Sequence, residues 1–142
     1  MKTVAERNDF TVGEEATLTR IFTQDDVETF SRLSGDTNPV HLDEEYATGT
    51  RFAGRIIHGM LVASLISSVL GTTLPGPGCV YMSQQLAFRA PARVGEQLTA
   101  KVRVTNWDSA KGRVFLTTEV INELGTQVII GEAKLAVASF LK

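Results

Sequence analysis

The chain has 142 residues, 43% apolar and 21% charged, with a formal net charge of −2, which fits one globular domain spanning 1–142. Its 14 Lys and Arg are dispersed among 16 Asp and Glu, which argues against a nucleic-acid or membrane binder working through a basic patch. Cys79 is the only cysteine, so an internal disulfide and a Cys-x-x-Cys zinc or redox site are excluded.

The N-terminal MKTVAERNDF is mixed and charged, with no apolar signal core. The longest apolar run, MLVASLISSVL, is too short for a bilayer and holds three serines. A cytoplasmic protein is therefore expected, with a processed organelle protein left open. In chain order, ATLTRIF (Ala16 to Phe22) predicts a first strand. TQDDVETFSRLSG predicts a helix with Thr23 as N-cap, acids in its first turns, Arg32 in its last and Gly35 just beyond it. Val27, Phe30 and Leu33 are its expected buried stripe. Pro39 stops any continuation, and Asp43 opens a short turn of helix through Ala47.

Residues 59 to 70, GMLVASLISSVL, carry no charge on any face. A helix apolar all round and too short for a membrane belongs in the middle of a fold. Gly71 is its natural C′ residue, and GTTLPGPGC turns the chain away. The second half then reads as strands. In LTAKVRVT, Leu98, Ala100, Val102 and Val104 alternate with polar residues, a period of two. CVYMSQQLAFR, RVFLTTEVI and TQVIIGEAKLAVASF are the others, bounded by PARVGE, DSAKG and ELGT turns, which predicts an antiparallel meander. A sheet wrapped around one central helix is the expected architecture.

Asp36 and His41, on either side of Asn38-Pro39, are the first candidates for chemistry. Proline rigidifies the connection, and an imidazole beside a carboxylate is a good acid/base couple near neutrality. By type and position alone, a turn or capping Asp and a packed loop His are the more ordinary reading. At the mouth of the apolar helix, Gly59 follows His58. The first N–H groups of a helix have no internal partner and lie at the positive end of its dipole, so a carbonyl docked there has developing negative charge stabilised. Gly59 removes the side chain that would block such an approach, or else permits close packing. Ser64, Ser67 and Ser68 are expected to bond the carbonyl one turn back, and no Gly-x-Ser-x-Gly elbow surrounds them. The acids of HLDEE are consecutive and cannot easily converge on one ion, so no metal is expected. Arg89, Arg93, Lys101 and Arg103 are either surface charges or contacts to an anionic ligand.

SGDTNPVHLDEEYA followed by GRIIHGMLVASLISSVLG closely resembles the MaoC-like, (R)-specific enoyl-CoA hydratase family, and the likeness continues through LPGPGCVYMSQQLAFRAPARVGEQLTAKVRV. The resemblance implies an α+β hot-dog fold, an antiparallel sheet curled around a central helix and usually paired into a homodimer. It implies Asp36 and His41 as the catalytic acid and histidine, and the Gly59 N–H as oxyanion donor. Asn38 would hold the dyad loop and Ser67 would lie near the dyad. Leu65, Ile66, Val69 and Leu70 become candidates for the depth of an acyl slot, though most of them must be ordinary core. The implied reaction is reversible syn hydration of a trans-2-enoyl thioester to the (R)-3-hydroxyacyl product. It needs no cofactor beyond the coenzyme A thioester itself, or an acyl-carrier-protein thioester presenting the same pantetheine. The alternatives are a carrier-protein dehydratase subunit, a hot-dog acyl-CoA thioesterase and a non-catalytic acyl-binding subunit. The thioesterase is disfavoured because residues 59 to 70 hold no Asp or Glu.

Overall fold

The computed structural model describes residues 9–137, so the predicted continuation of the last strand through 138–140 lies outside the described residues. Five strands form one antiparallel sheet: β1 (Glu15–Ile21), β2 (Val80–Phe88), β3 (Gln97–Asp108), β4 (Arg113–Asn122) and β5 (Gln127–Ala136). Their order is β1-β3-β4-β5-β2. Only β3, β4 and β5 follow one another as a meander. The expectation that β2 opens it is corrected, because β2 pairs with β5 and lies at the far edge from β1.

Helix α4 (Gly59–Thr72) packs against β1, β3 and β4. Leu61, Val62, Leu65, Ile66, Val69 and Leu70 meet the fully buried Leu98, Ala100, Val102 and Val104 of β3 in one core. This is the hot-dog architecture. The helix is not buried all round, however. Met60 is 59% exposed, and Ser67, Ser68 and Gly71 are also open, a stripe at helical spacing outside the packed face of the helix. The serines therefore mark a solvent face that the lack of charge concealed. The helix also runs one residue past Gly71, with Thr73 as C-cap. Among the described residues no helix is long and apolar enough to cross a membrane.

Helix α1 (Gln24–Ser34) starts at the Thr23 cap, which forms a reciprocal capping box with Asp26, and ends at Gly35 with φ +82°. Its buried face holds Val27 and Ser31, whereas Leu33 is 84% exposed. The expected stripe is thus wrong by one position, because a buried serine takes the place one turn after Val27. Two short helices follow, α2 (Pro39–Leu42) and α3 (Glu44–Thr48). Pro39 stands at the first helical position of α2, where its missing N–H costs nothing, so it starts a turn as well as ending one. Asp43 caps α3 as expected, its side chain accepting from the Tyr46 N–H.

Candidate active site

The segment from Gly35 to His41 is held by its own side chains. Asp36 Oδ1 accepts from the Asn38 N–H at 3.2 Å, and Asn38 Oδ1 accepts from the Val40 N–H at 3.3 Å. Such Asx bonds replace backbone partners in a tight turn. Asn38 is the N-cap of α2, which carries His41 inward until its ring is 8% exposed. There His41 Nδ1 lies 2.8 Å from the Ile56 carbonyl. A carbonyl only accepts, so Nδ1 carries the proton and Nε2 keeps a lone pair. Ile56 is itself tied to α2 by its N–H to the Val40 carbonyl at 3.2 Å.

His58, the N-cap of α4, is 1% exposed and completes the cluster. Its Nε2 sits 3.1 Å from the main-chain carbonyl of Asp36 and 3.0 Å from the Ser31 hydroxyl. The carbonyl again fixes the proton, here on Nε2, and leaves Nδ1 buried without a partner among the described residues. The His41 and His58 rings stack at 3.9 Å with planes 30° apart, and Phe30 meets His58 edge-on at 4.8 Å. Burial pushes the His58 pKa down, and neighbouring His41 adds to this, against opposing contributions from the Asp36 carbonyl and carboxylate. The ring is therefore neutral through the physiological range.

This has a consequence for stability. As pH falls through 6.5, the unfolded chain protonates His58 while the folded chain, with its lowered value, does not. Folded stability is full above 6.5 and declines below it, until the lowered native value is passed. Thermal melts should show the midpoint dropping over that window, with His58→Gln removing this part of the pH dependence.

Asp36, His41 and His58 bring three donor atoms within 4.8 Å of one another. Donors on one zinc ion lie roughly 3.4 Å apart and aim at a common point. Two stacked imidazoles hold their nitrogens side by side instead. As built, the cluster suits a proton or a water better than a resident metal.

A cavity of about 470 Å³ opens beside the cluster and is bordered by Asp36, His58 and Gly59. His41 lies one layer behind, within 4.8 Å of Asp36 but not on the cavity wall. The N–H groups of residues 59 to 61 head α4, and His58 makes no side-chain cap to them. At Gly59 an added Cβ would lie 2.6 Å from Cε1 and 2.7 Å from Cδ1 of Phe88, itself half-exposed on the cavity wall. The glycine thus permits close packing by an aromatic ring, and that ring stands where a ligand would approach. Arg51 and Arg89 reach the same cavity. Lys101 and Arg103 instead pair with Glu15 at 3.2 and 3.6 Å, and Arg93 binds the Phe52 and Arg55 carbonyls.

Several expected residues lie elsewhere. Ser67 is eight residues beyond Gly59, about 12 Å along the helix at 1.5 Å per residue. It borders a second cavity with Ser64, Tyr81 and Met82, which meets the first only at Met60. Leu65, Ile66, Val69 and Leu70 are at most 2% exposed and none borders the cavity beside Asp36. They face the sheet, so α4 lends that cavity only Gly59, Met60 and Val62, and Ile129 of β5 supplies an opposing apolar wall. Sequence reasoning missed the imidazole of His58, with Ser31 and Phe88. The signal for Ser31 was a polar residue one turn after Val27 on an otherwise apolar face.

The family pattern described as MaoC like domain matches residues 5–125. An (R)-specific enoyl-CoA hydratase of Rhodospirillum rubrum is 47% identical over 130 residues, 91% of this chain and 89% of that protein. A mitochondrial 3-hydroxyacyl-[acyl-carrier-protein] dehydratase of Arabidopsis thaliana is 34% identical over 133 residues, 92% of this chain and 79% of that protein. The solved structure of an (R)-hydratase from Aeromonas caviae superposes with a TM-score of 0.87 at 41% identity, covering 90% of this chain and 97% of that one. Motif, fold and relatives agree: the chain belongs to the MaoC-like family.

Proposed function

We propose that this chain is a hydro-lyase that reversibly hydrates trans-2-enoyl-CoA to (R)-3-hydroxyacyl-CoA, using Asp36 and His41 with the Gly59 N–H. The observation that carries this is one cavity bordered by both the Asp36 carboxylate and the free N-terminus of α4, with the His41 imidazole close behind. The hydratase of R. rubrum, alike over nearly the whole chain, supports it.

The thioester carbonyl docks on the Gly59 N–H, which draws electrons from the conjugated double bond. Water held by the dyad attacks C3 as its proton passes to the Asp36–His41 pair. The C2=C3 electrons move toward the thioester oxygen as an enolate, and collapse of that charge takes a proton at C2. One water is added and nothing is oxidised, so no redox group is needed. The His41 tautomer leaves Nε2 as an acceptor for the proton of the attacking water. Arg51 and Arg89 at the cavity suit the phosphates of the pantetheine carrier.

We further infer a homodimer through β2, which among the described residues is a sheet edge paired only with β5 and whose Val80, Tyr81, Met82 and Phe88 are 36–52% exposed. An exposed apolar edge strand is a template for pairing. We infer that residues 1–142 make up one hot-dog domain.

Purified protein given crotonyl-CoA should lose enoyl-thioester absorbance and form a product that an (R)-specific 3-hydroxyacyl dehydrogenase accepts. Light scattering on the same sample should give twice 15.4 kDa. Thiol release without hydration would identify a thioesterase. Turnover only of the carrier-protein thioester would favour the dehydratase reading, which the Arabidopsis relative's name supports. Inertness on both would leave a silent subunit.

A further inference from the structure

We propose that His58 is a positioning residue of this site, a neutral second imidazole that holds Asp36 by its main chain and supports the His41 ring face to face. This rests on the hydratase site proposed above. The two imidazoles are locked as opposite tautomers, each by a backbone carbonyl: His41 through Nδ1–H to Ile56 at 2.8 Å, His58 through Nε2–H to Asp36 at 3.1 Å. Ser31, buried on α1, takes a share of the same Nε2–H at 3.0 Å. His58 thereby fixes the loop on which the Asp36 carboxylate stands, across 22 residues of sequence.

Its ring does the rest. At 3.9 Å it is the floor under His41, and Phe30 packs against it edge-on at 4.8 Å. When His41 takes a proton, the cation meets a neutral aromatic face, a favourable contact, whereas a charged His58 would repel it. The groups that face His58 are Asp36 and His41, with Phe30 and Ser31 from α1. As N-cap of α4 the same residue also leads directly into Gly59. Its backbone and ring therefore join the carboxylate loop, the imidazole and the oxyanion donor. Phenylalanine would offer the face without the donor, and glutamine the donor without the face. Histidine supplies both.

The test compares crotonyl-CoA hydration by the full chain carrying Asp36→Asn, His58→Gln or His58→Asn. The Asp36→Asn arm checks the underlying assignment. If it keeps the wild-type rate, the hydratase site itself is misplaced, whatever His58 does. With that loss established, His58→Asn, whose short amide does not reach the Asp36 carbonyl, should lower kcat on the order of ten- to a hundredfold, the scale of a roughly 1 Å misplacement, with KM nearly unchanged. Asparagine is a good N-cap, so α4 should persist. His58→Gln carries its amide nitrogen near the Nε2 position but lacks the ring face, so it should recover part of kcat and leave a clearly smaller loss than the shorter amide. Should the shorter amide fail to fold, His58→Phe takes its place with the same expectation. Equal losses in the glutamine variant and its counterpart would overturn the proposal, as would an unchanged kcat or an effect confined to KM.

Discussion

Asp36→Asn should lower turnover of crotonyl-CoA by a factor on the order of 10² or more, the usual worth of a positioned acid/base group, without loosening the fold. The turn at Asp36 depends on one carboxylate oxygen, which accepts the Asn38 N–H at 3.2 Å. An amide oxygen accepts that bond equally well, so the segment leading into α2 stays in place. What disappears is the negative charge and the ability to exchange a proton with water. His41→Ala should cost turnover on the same scale, but its structural consequence differs. It strips the Ile56 carbonyl of its 2.8 Å donor and leaves a gap against the His58 ring. Losing a buried partner costs about 1–3 kcal/mol, so this variant should also melt earlier. Paired rate and melting measurements separate the two effects. A near-normal rate in either variant would remove that residue from the catalytic pair.

The pairing of Asp36 with His41 is readable from sequence because it is local. Five residues, a proline at the start of a helical turn and two Asx bonds bring the two near each other, while Ile56 and His58 from farther along the chain fix their final positions. The central helix is readable for a different reason, since its composition admits no surface helix of ordinary kind. What fails are statements about faces. Ser31 is buried in place of Leu33, with its hydroxyl against His58, 27 residues away. Position on α4 points to Ser67 near the dyad and to the quartet Leu65, Ile66, Val69 and Leu70 along an acyl slot, yet the quartet packs into the core and Ser67 borders the second cavity. The position of β2 beside β5 likewise depends on pairing across more than 40 residues, which local periodicity does not encode.

Gly59 is where two readings of one residue can be divided. In isolation, Gly59→Ala should lower kcat/KM on the order of 10², comparable to the loss of an oxyanion donor. The added Cβ would lie 2.6 Å from the Phe88 ring, far inside contact distance, so the ring must move. Phe88 is 52% exposed and borders the cavity, so it has room to swing. The helix gains from alanine, by up to about 1 kcal/mol, and the melting temperature should therefore hold or rise. Activity falls because the displaced ring crosses the approach to the Gly59 N–H, not because that donor is lost; the backbone keeps it. Removing the ring should then undo the damage. In a Phe88→Ala background, the same Gly59→Ala change should cost less than about fivefold, a coupling between touching residues that a double-mutant cycle reads directly. An equal cost in both backgrounds would mean that the glycine serves something other than its contact with Phe88. No cost in either would mean that the thioester does not reach the head of α4 along this face, and the oxyanion donor would have to be sought elsewhere in the cavity.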